Sequence, residues 1–235
     1  MSARPPLFVV VVAAGLGARL GERTRKAGIL LAGVPMVVRS MRALAEAPGA
    51  IGGAVVVHAE DVGRATGEWL PAAVGDFPWQ VVVGGETRSE SVARGLDAAP
   101  ATATHFAVHD AARPLLHRDD CAAVIERVAR APQGEAPIDG AILAAPVTDT
   151  LKRVEGDRIV APVDRAPLWG AQTPQVFTRE ALTRARSHGP LEGTDEASWL
   201  AAAGIEVRVV AAKHPNPKVT WPADLALCEV HLRAP

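Results

Sequence analysis

The amino-acid sequence predicts a three-layer α/β/α fold, a mainly parallel sheet with helices on both faces. Three observations carry this expectation. Short β-branched runs alternate with amphipathic segments along the 235 residues, the pattern of successive βαβ units. The first apolar run flows straight into a glycine loop, and open sheets of this kind bind ligands at the carboxyl ends of their strands. No internal repeat, low-complexity linker or domain boundary interrupts a chain long enough to bury a substantial core, so a single domain over residues 1–235 is expected.

The elements follow in order. The start, MSARPPLFVVVVAAG, has one arginine before an apolar run, as a signal peptide does. The run is nonetheless valine-rich and leads directly into the glycine loop, so Leu7–Ala13 reads as a buried first strand. Helical apolar spacing marks Met36–Ala47. Strands follow at Ala54–His58 and Gln80–Val83, and a helix at Ser89–Ala98, with Ser89 as its opening residue. Phe106–His109 reads as a buried strand ending in Asp110. Asp119–Ala131 reads as a helix, with Asp119 and Asp120 as ordinary capping residues. Ala141–Ala145 and Glu206–Ala211 read as later strands. One segment, APVTDTLKRVEGDRIVAPVDRAPLW, breaks the rhythm. Two β-like runs flank Glu155-Gly156-Asp157, a plausible hairpin turn, which predicts a two-stranded arm over about residues 147–165. An isolated hairpin is marginal in water, so the arm should pack on something, such as a second subunit.

Composition narrows the function. Formal charge is −1, which excludes the global basic field of a nucleic-acid binder and makes any anion affinity local. Apolar runs stay short, none near the roughly 20 residues of a membrane span. Cys121 and Cys228 fall in helix-like segments without metal-ligand spacing and read as buried free thiols of a reducing, cytoplasmic setting. The seven histidines do not cluster in the sequence, so each reads as an ordinary surface or core residue.

The motifs point to phosphate chemistry. Gly15-Leu16-Gly17 after a strand suggests a dinucleotide fingerprint, but Leu20 takes the third glycine position, and no acidic residue closes a second strand about 20 residues on. A Walker loop is excluded because no Gly-Lys-Ser/Thr follows. What remains is Ala13-Ala14-Gly15-Leu16-Gly17, whose small residues let backbone N–H groups approach phosphate oxygens, with Arg19 and Lys26 supplying fixed charge. In HFAVHDAARP, Asp110 ends a buried strand with Arg113 one turn later. A carboxylate there, beside a phosphate site, suits a divalent metal or its water. Gly84-Gly85 follows another strand, where paired glycines admit a flat base or ribose and Ser91 offers a hydrogen bond. Thr150, Lys152, Arg153, Asp164, Arg165, Thr173, Thr194-Asp195-Glu196 and Lys218 are scattered, and spacing assigns them no role.

Taken together and in this order, the motifs resemble the 2-C-methyl-D-erythritol 4-phosphate cytidylyltransferase family. The matching pieces are Ala13–Arg19, Lys26-Ala27, Gly84–Ser91, Asp110–Pro114 and Ala144–Val147 leading to Asp149-Thr150. Val163–Arg165, Thr173–Gln175, Thr194–Ser198 and Lys218–Thr220 continue them almost to the C-terminus. Arg25 stands where a proline is usual, Gly28 where an aromatic is usual, and Glu86 where the glycine turn usually carries aspartate. The resemblance implies a Rossmann-like nucleotidyltransferase fold and transfer of CMP from CTP to methylerythritol phosphate with release of pyrophosphate. It implies that Ala13–Gly17, Gly85, Glu86, Ser91, Asp110 and Ala111 hold CTP, with Mg²⁺ or another divalent cation near Asp110. Arg19 and Lys26 would stabilise the transition-state charge, and Arg165 and Lys218 would position the sugar phosphate. Arg113, Thr150, Thr173 and Thr194 would complete the acceptor site of a homodimer joined through the arm. The rival expectations are a ribitol-5-phosphate cytidylyltransferase and a catalytically inactive nucleotide-binding module. Retention of Arg19, Lys26, Arg165 and Lys218 argues against the second.

Overall fold

The computed structural model describes residues 4–15, 17, 25–73, 75–130, 135–191 and 193–233. Its centre is a seven-stranded sheet. In chain order the first elements are β1 (Leu7–Val12), a small hairpin β2 (Leu30–Leu31) and β3 (Val34–Pro35), α1 (Met36–Ala45) and β4 (Ala50–Val57). A broken helical stretch follows, α2 (Val62–Arg64), a π turn (Ala65–Trp69) and α3 (Leu70–Ala73), then β5 (Trp79–Val83), α4 (Arg88–Asp97), β6 (His105–Asp110) and α5 (Arg118–Ala129). The second half holds β7 (Gly140–Pro146), β8 (Lys152–Glu155), β9 (Arg158–Pro162), β10 (Trp169–Thr178), α6 (Arg179–His188), α7 (Glu196–Ala202), β11 (Arg208–Ala211) and α8 (Pro222–Arg233). The strand order is β11-β7-β10-β6-β1-β4-β5, and β10 alone runs against its neighbours.

β1 is an interior strand beside the central β6 and is apolar on both faces because both are covered. Leu7, Val9 and Val11 pack into one core layer with Val37, Met41 and Leu44 of α1 and Val124, Ile125 and Val128 of α5. Phe8 and Val10 enter the other, with Val92 and Leu96 of α4, Leu182 of α6 and Trp199 and Leu200 of α7. A smaller cluster of Leu31, Met36, Val219 and Cys228 fastens α8 and the chain before it to the β2–β3 hairpin. The three-layer, mainly parallel architecture is as expected from the sequence, and Cys121 and Cys228 are buried free thiols. Among the described residues no helix is long and apolar enough to cross a membrane.

Several boundaries differ, each for a local reason. β4 starts at Ala50 rather than Ala54, since Gly52 and Gly53 pair with Phe8 and Val9 of β1. Gly53 has no room for a side chain, because an added Cβ would lie 2.6 Å from both Trp79 and Val9. β10 has no counterpart among the strands read from the sequence. Its polar centre, Gln172-Thr173-Pro174-Gln175, lacks the apolar alternation that marks a strand. The helix caps also shift. Thr87, not Ser89, caps α4 by accepting from Glu90 N–H, and His117, not Asp119 or Asp120, caps α5 by accepting from Asp119 N–H. Asp120 instead turns inward and accepts the N–H groups of Lys213 and His214 at 3.1 and 3.0 Å. The arm is present as β8–β9, turning at Gly156 with φ +62°, and its strands are mostly exposed.

Candidate active site

Parallel strands end at one edge of the sheet, and that edge assembles the site. Val12 of β1 lies beside Asp110 of β6, so Ala13–Gly15 and Asp110–Ala112 leave the sheet side by side. The end of β5 brings Gly84–Glu86 next to them. Together with Lys26, Arg88, Ser91 and Lys218 they surround a cavity of about 220 Å³. Its walls are largely bare backbone and small side chains, and three of its charged groups, Arg88, Asp110 and Lys218, meet at one end. Gly84 must be glycine here: an added Cβ would lie 2.6 Å from Cβ of Ala14 and 2.8 Å from the Ser91 hydroxyl. Ser91 shapes this loop by accepting the N–H of Gly85 at 3.0 Å and donating to the Thr87 carbonyl at 2.9 Å. The N–H of Glu86 is held by Glu90 Oε2 at 2.8 Å.

The charged end centres on Asp110. Its Oδ1 accepts from Nε and Nη2 of Arg88 at 3.2 and 3.0 Å, and its Oδ2 accepts from Lys218 Nζ at 2.7 Å. Burial alone would raise the Asp110 pKa, but Arg88 and Lys218 outweigh it and hold the carboxyl well below the usual carboxylate range. Arg88 also reaches Glu196, which is wholly buried, at 2.6 and 3.3 Å. One guanidinium therefore ties α4 to the end of β6 and the start of α7. Burial pushes the Glu196 carboxyl upward and Arg88 works against that, while both carboxylates hold Arg88 firmly cationic despite its burial.

Behind Asp110 a buried relay sets the direction of the chain. The Asp110 N–H donates to Thr173 Oγ1 at 3.1 Å. The Thr173 hydroxyl lies 2.9 Å from His109 Nδ1, and His109 Nε2 lies 3.1 Å from the Arg113 carbonyl. A neutral imidazole satisfies this chain by donating from Nε2 and accepting at Nδ1. Burial pushes the His109 pKa down to about 4, in keeping with that neutral ring. Arg113 donates to the carbonyls of Asn216 and Ala171 at 2.7 and 3.2 Å, and Val219 N–H to Ala112 O at 2.8 Å. These bonds bind the 213–219 loop, and with it Lys218, to the site.

Of the residues singled out in the sequence, Ala13, Ala14, Gly15, Lys26, Gly85, Glu86, Ser91, Asp110, Ala111 and Lys218 line the cavity. Leu16 and Arg19 lie outside the described residues. Gly17, with φ +66°, is in the same loop but is not a lining residue. Thr173 is buried behind Asp110, Arg113 braces the 213–219 loop, and Thr194 is exposed ahead of α7. Thr150 and Arg165 flank the arm, both exposed, and Arg165 bonds the Thr148 carbonyl. Sequence reasoning missed Arg88, although it lies inside the Gly84–Ser91 motif, and took no account of Asn216. Arg88 reads as one more helix arginine until β6 and α7 are folded against it. His117 and His214, which looked isolated, stack with ring centroids 3.5 Å apart. They lie in different segments, so their pairing has no trace in local spacing.

The chain is similar to known proteins over nearly its whole length. The family model described as 2-C-methyl-D-erythritol 4-phosphate cytidylyltransferase matches residues 7–234. A protein of that name from Prochlorococcus marinus is 40% identical, over 97% of this chain and all of its own. One from Symbiobacterium thermophilum is 38% identical, over 97% of this chain and 93% of its own. The crystal structure of the Thermus thermophilus protein of the same name superposes with a TM-score of 0.70 at 30% identity, covering 96% of this chain and 98% of that one.

Proposed function

The chain belongs to the 2-C-methyl-D-erythritol 4-phosphate cytidylyltransferase family, and from that premise we propose how its residues perform the reaction. The activity is transfer of CMP from CTP to 2-C-methyl-D-erythritol 4-phosphate, giving the 4-CDP product and pyrophosphate. A phosphate oxygen of the acceptor attacks the α-phosphorus of CTP, and the bond to the β-phosphate oxygen breaks in line. The protein has little covalent chemistry to do in such a displacement, so positioning and charge neutralisation supply the catalysis.

The observation that carries the reading is a cavity of backbone and small residues in which Arg88 and Lys218 hold one ionised carboxylate, Asp110, and Lys26 supplies a further cation to the lining. The Ala13–Gly17 loop takes the triphosphate against its N–H groups, and the Gly84–Ser91 turn admits the cytidine. Lys26, with Arg19 from the same loop, meets the charge that grows on the transferred and departing phosphates. Lys218 changes partner, from Asp110 toward the acceptor phosphate. Arg165 and Thr150 come to the acceptor end from the arm of a second subunit.

Asp110 fits a share in a divalent cation. Magnesium is ordinarily held by one or two carboxylates together with substrate phosphates and water. The Asp110 carboxylate is kept ionised, lines the cavity and has acceptor capacity to spare at Oδ2 beyond its bond from Lys218. The cation, when bound with CTP, supplies neutralisation of phosphate charge. The test is pyrophosphate release from each of the four ribonucleoside triphosphates with methylerythritol phosphate and Mg²⁺. CTP should be the preferred donor, and Lys218→Ala should abolish most of the signal. A Lys218→Ala variant as active as wild type would overturn these roles without touching the family's activity.

A further inference from the structure

Away from this cavity, one group of side chains has the make-up of a transition-metal centre. His117 before α5, Asp119 in its first turn and His214 in the loop after β11 each place a ligand atom within 4.8 Å of the other two. His117 Nδ1 lies 3.8 Å from Asp119 Oδ2, and because it accepts the Asp119 N–H at 3.2 Å as the cap of α5, coordination through this nitrogen would give up that bond. Two ligands on a tetrahedral zinc are roughly 3.4 Å apart, given bonds of about 2.1 Å. Behind His214 sits the carboxylate of Asp120, 1% exposed, with Oδ2 3.3 Å from His214 Nδ1. That Nδ1 is buried and lacks any well-directed hydrogen bond. Asp120 is thus within reach of this nitrogen without yet bonding it; a small turn of the ring into alignment would give the carboxylate support that metal-ligating histidines use and leave the other nitrogen to bind.

We propose that His117, Asp119 and His214 form a site for a borderline divalent metal of the zinc and cobalt class. Two imidazole nitrogens and one carboxylate oxygen suit such an ion, whereas magnesium prefers oxygen alone. The site's two histidines line a second cavity of about 420 Å³, which Arg39, Arg42 and His231 also line. These arginines oppose a bare cation, and an anion in the open coordination position answers their charge. The arginines are themselves anchored, Arg39 on the Leu31 carbonyl and Arg42 on those of Ala72 and Ala73. Coordination requires the stacked rings to part from 3.5 Å to roughly 5 Å between centroids, because the bonds diverge from the metal at a tetrahedral angle. Both rings have the solvent exposure to do so, 39% for His117 and 35% for His214. The metal would fasten α5 to the same loop that presents Lys218.

The experiment uses untagged full-length enzyme with excess Mg²⁺, titrated with Co²⁺ followed by visible absorption and then with Zn²⁺ by calorimetry. One equivalent of Co²⁺ should bind with the absorption of a low-coordinate nitrogen-ligated ion, and Zn²⁺ should displace it. His117→Asn, which keeps a helix cap, and His214→Ala should each weaken binding at least tenfold. Asp110→Asn should leave binding unchanged. Zn²⁺ should raise the Tm of the wild type and not that of the histidine variants. Absence of saturable binding, or binding lost with Asp110 and retained without the histidines, overturns the proposal. Should His214→Ala fail to fold, the titration of His117→Asn, altered only at an exposed ring, decides the matter alone.

Discussion

Residue 25 is arginine where the family pattern has proline, and the backbone there still has φ −66°, the value a proline ring imposes. The side chain replaces the ring's stiffness with anchorage. Its guanidinium contacts His58 Nδ1 at 2.8 Å and Asp61 at 3.3 Å and pairs with Glu60. At Gly28, where an aromatic is usual, the Arg64 guanidinium occupies the space a side chain would enter, 2.6 Å from an added Cβ. Both departures were legible in the sequence, but their compensation was not, because His58, Asp61 and Arg64 are distant in the chain. Steady-state kinetics should show Arg25→Ala lowering kcat by roughly tenfold, toward the 10²-fold that a misplacement of about 1 Å costs, by loosening Lys26. Arg25→Pro should keep most of the activity, and an unaffected Arg25→Ala would show that the anchor is idle. Lys26→Ala should cost about 2.7–4 kcal/mol of transition-state stabilisation, so kcat should fall far more than CTP affinity. His109 makes a separate prediction about acid. Its folded pKa, about 4, lies below the ordinary 6.5, so between those values the unfolded chain binds a proton that the native chain refuses. Its contribution is therefore full above pH 6.5, falls as the pH drops, and levels off below about 4. The loss is up to roughly 3 kcal/mol at about 1.36 kcal/mol per unit. Urea denaturation across this range should show the slope, and His109→Gln should flatten it.

Elements with apolar periodicity were readable, and those built on polar pairing were not. β1, β5, β6 and β7 fall within a residue or so of their expected limits because apolar runs mark each of them. β10 escaped because its central residues serve the site. Thr173 takes the Asp110 N–H, and Gln175 links Asp195 and the Ala197 N–H at 2.9 and 3.1 Å. Spacing assigns Thr194-Asp195-Glu196 no role, and in the structure two of its residues have distinct tasks. Asp195 caps α7 by accepting from Ser198, while Glu196 holds Arg88. At the site the tightest approach between elements falls at Gly84, where an added Cβ at the end of β5 would lie 2.6 Å from Cβ of Ala14. Gly84→Ala should push these loops apart and raise KM for CTP at least tenfold, with the melting temperature lowered only modestly because the strain lies at the sheet edge. Serial CTP titrations and a thermal melt check both halves. An unchanged KM would mean that the two loops do not form one nucleotide pocket.

At the scale of the whole molecule the arm is the element that the chain's own core does not hold. Among the described residues β8 and β9 pair only with each other, and Val154, Ile159 and nearby Trp169 are 49%, 63% and 43% exposed. Such a ribbon has too little apolar surface of its own to be stable alone, so it is expected to lie against a second copy of the chain. Thr150 and Arg165 stand at the two ends of the arm and are absent from the walls of the chain's own cavity. A homodimer in which each arm serves the neighbour's acceptor site accounts for both facts, and complementation tests it. Lys26→Ala and Arg165→Ala, each inactive by itself, are mixed so that heterodimers form. If each site takes Lys26 from one chain and Arg165 from the other, one site of the heterodimer collects both lesions and the other is intact, so activity returns. If every site is contained in one chain, each keeps a lesion and mixing restores nothing. Inactivity in heterodimers verified by mass would confine Arg165 to its own chain, and a monomer by light scattering would remove the dimer altogether.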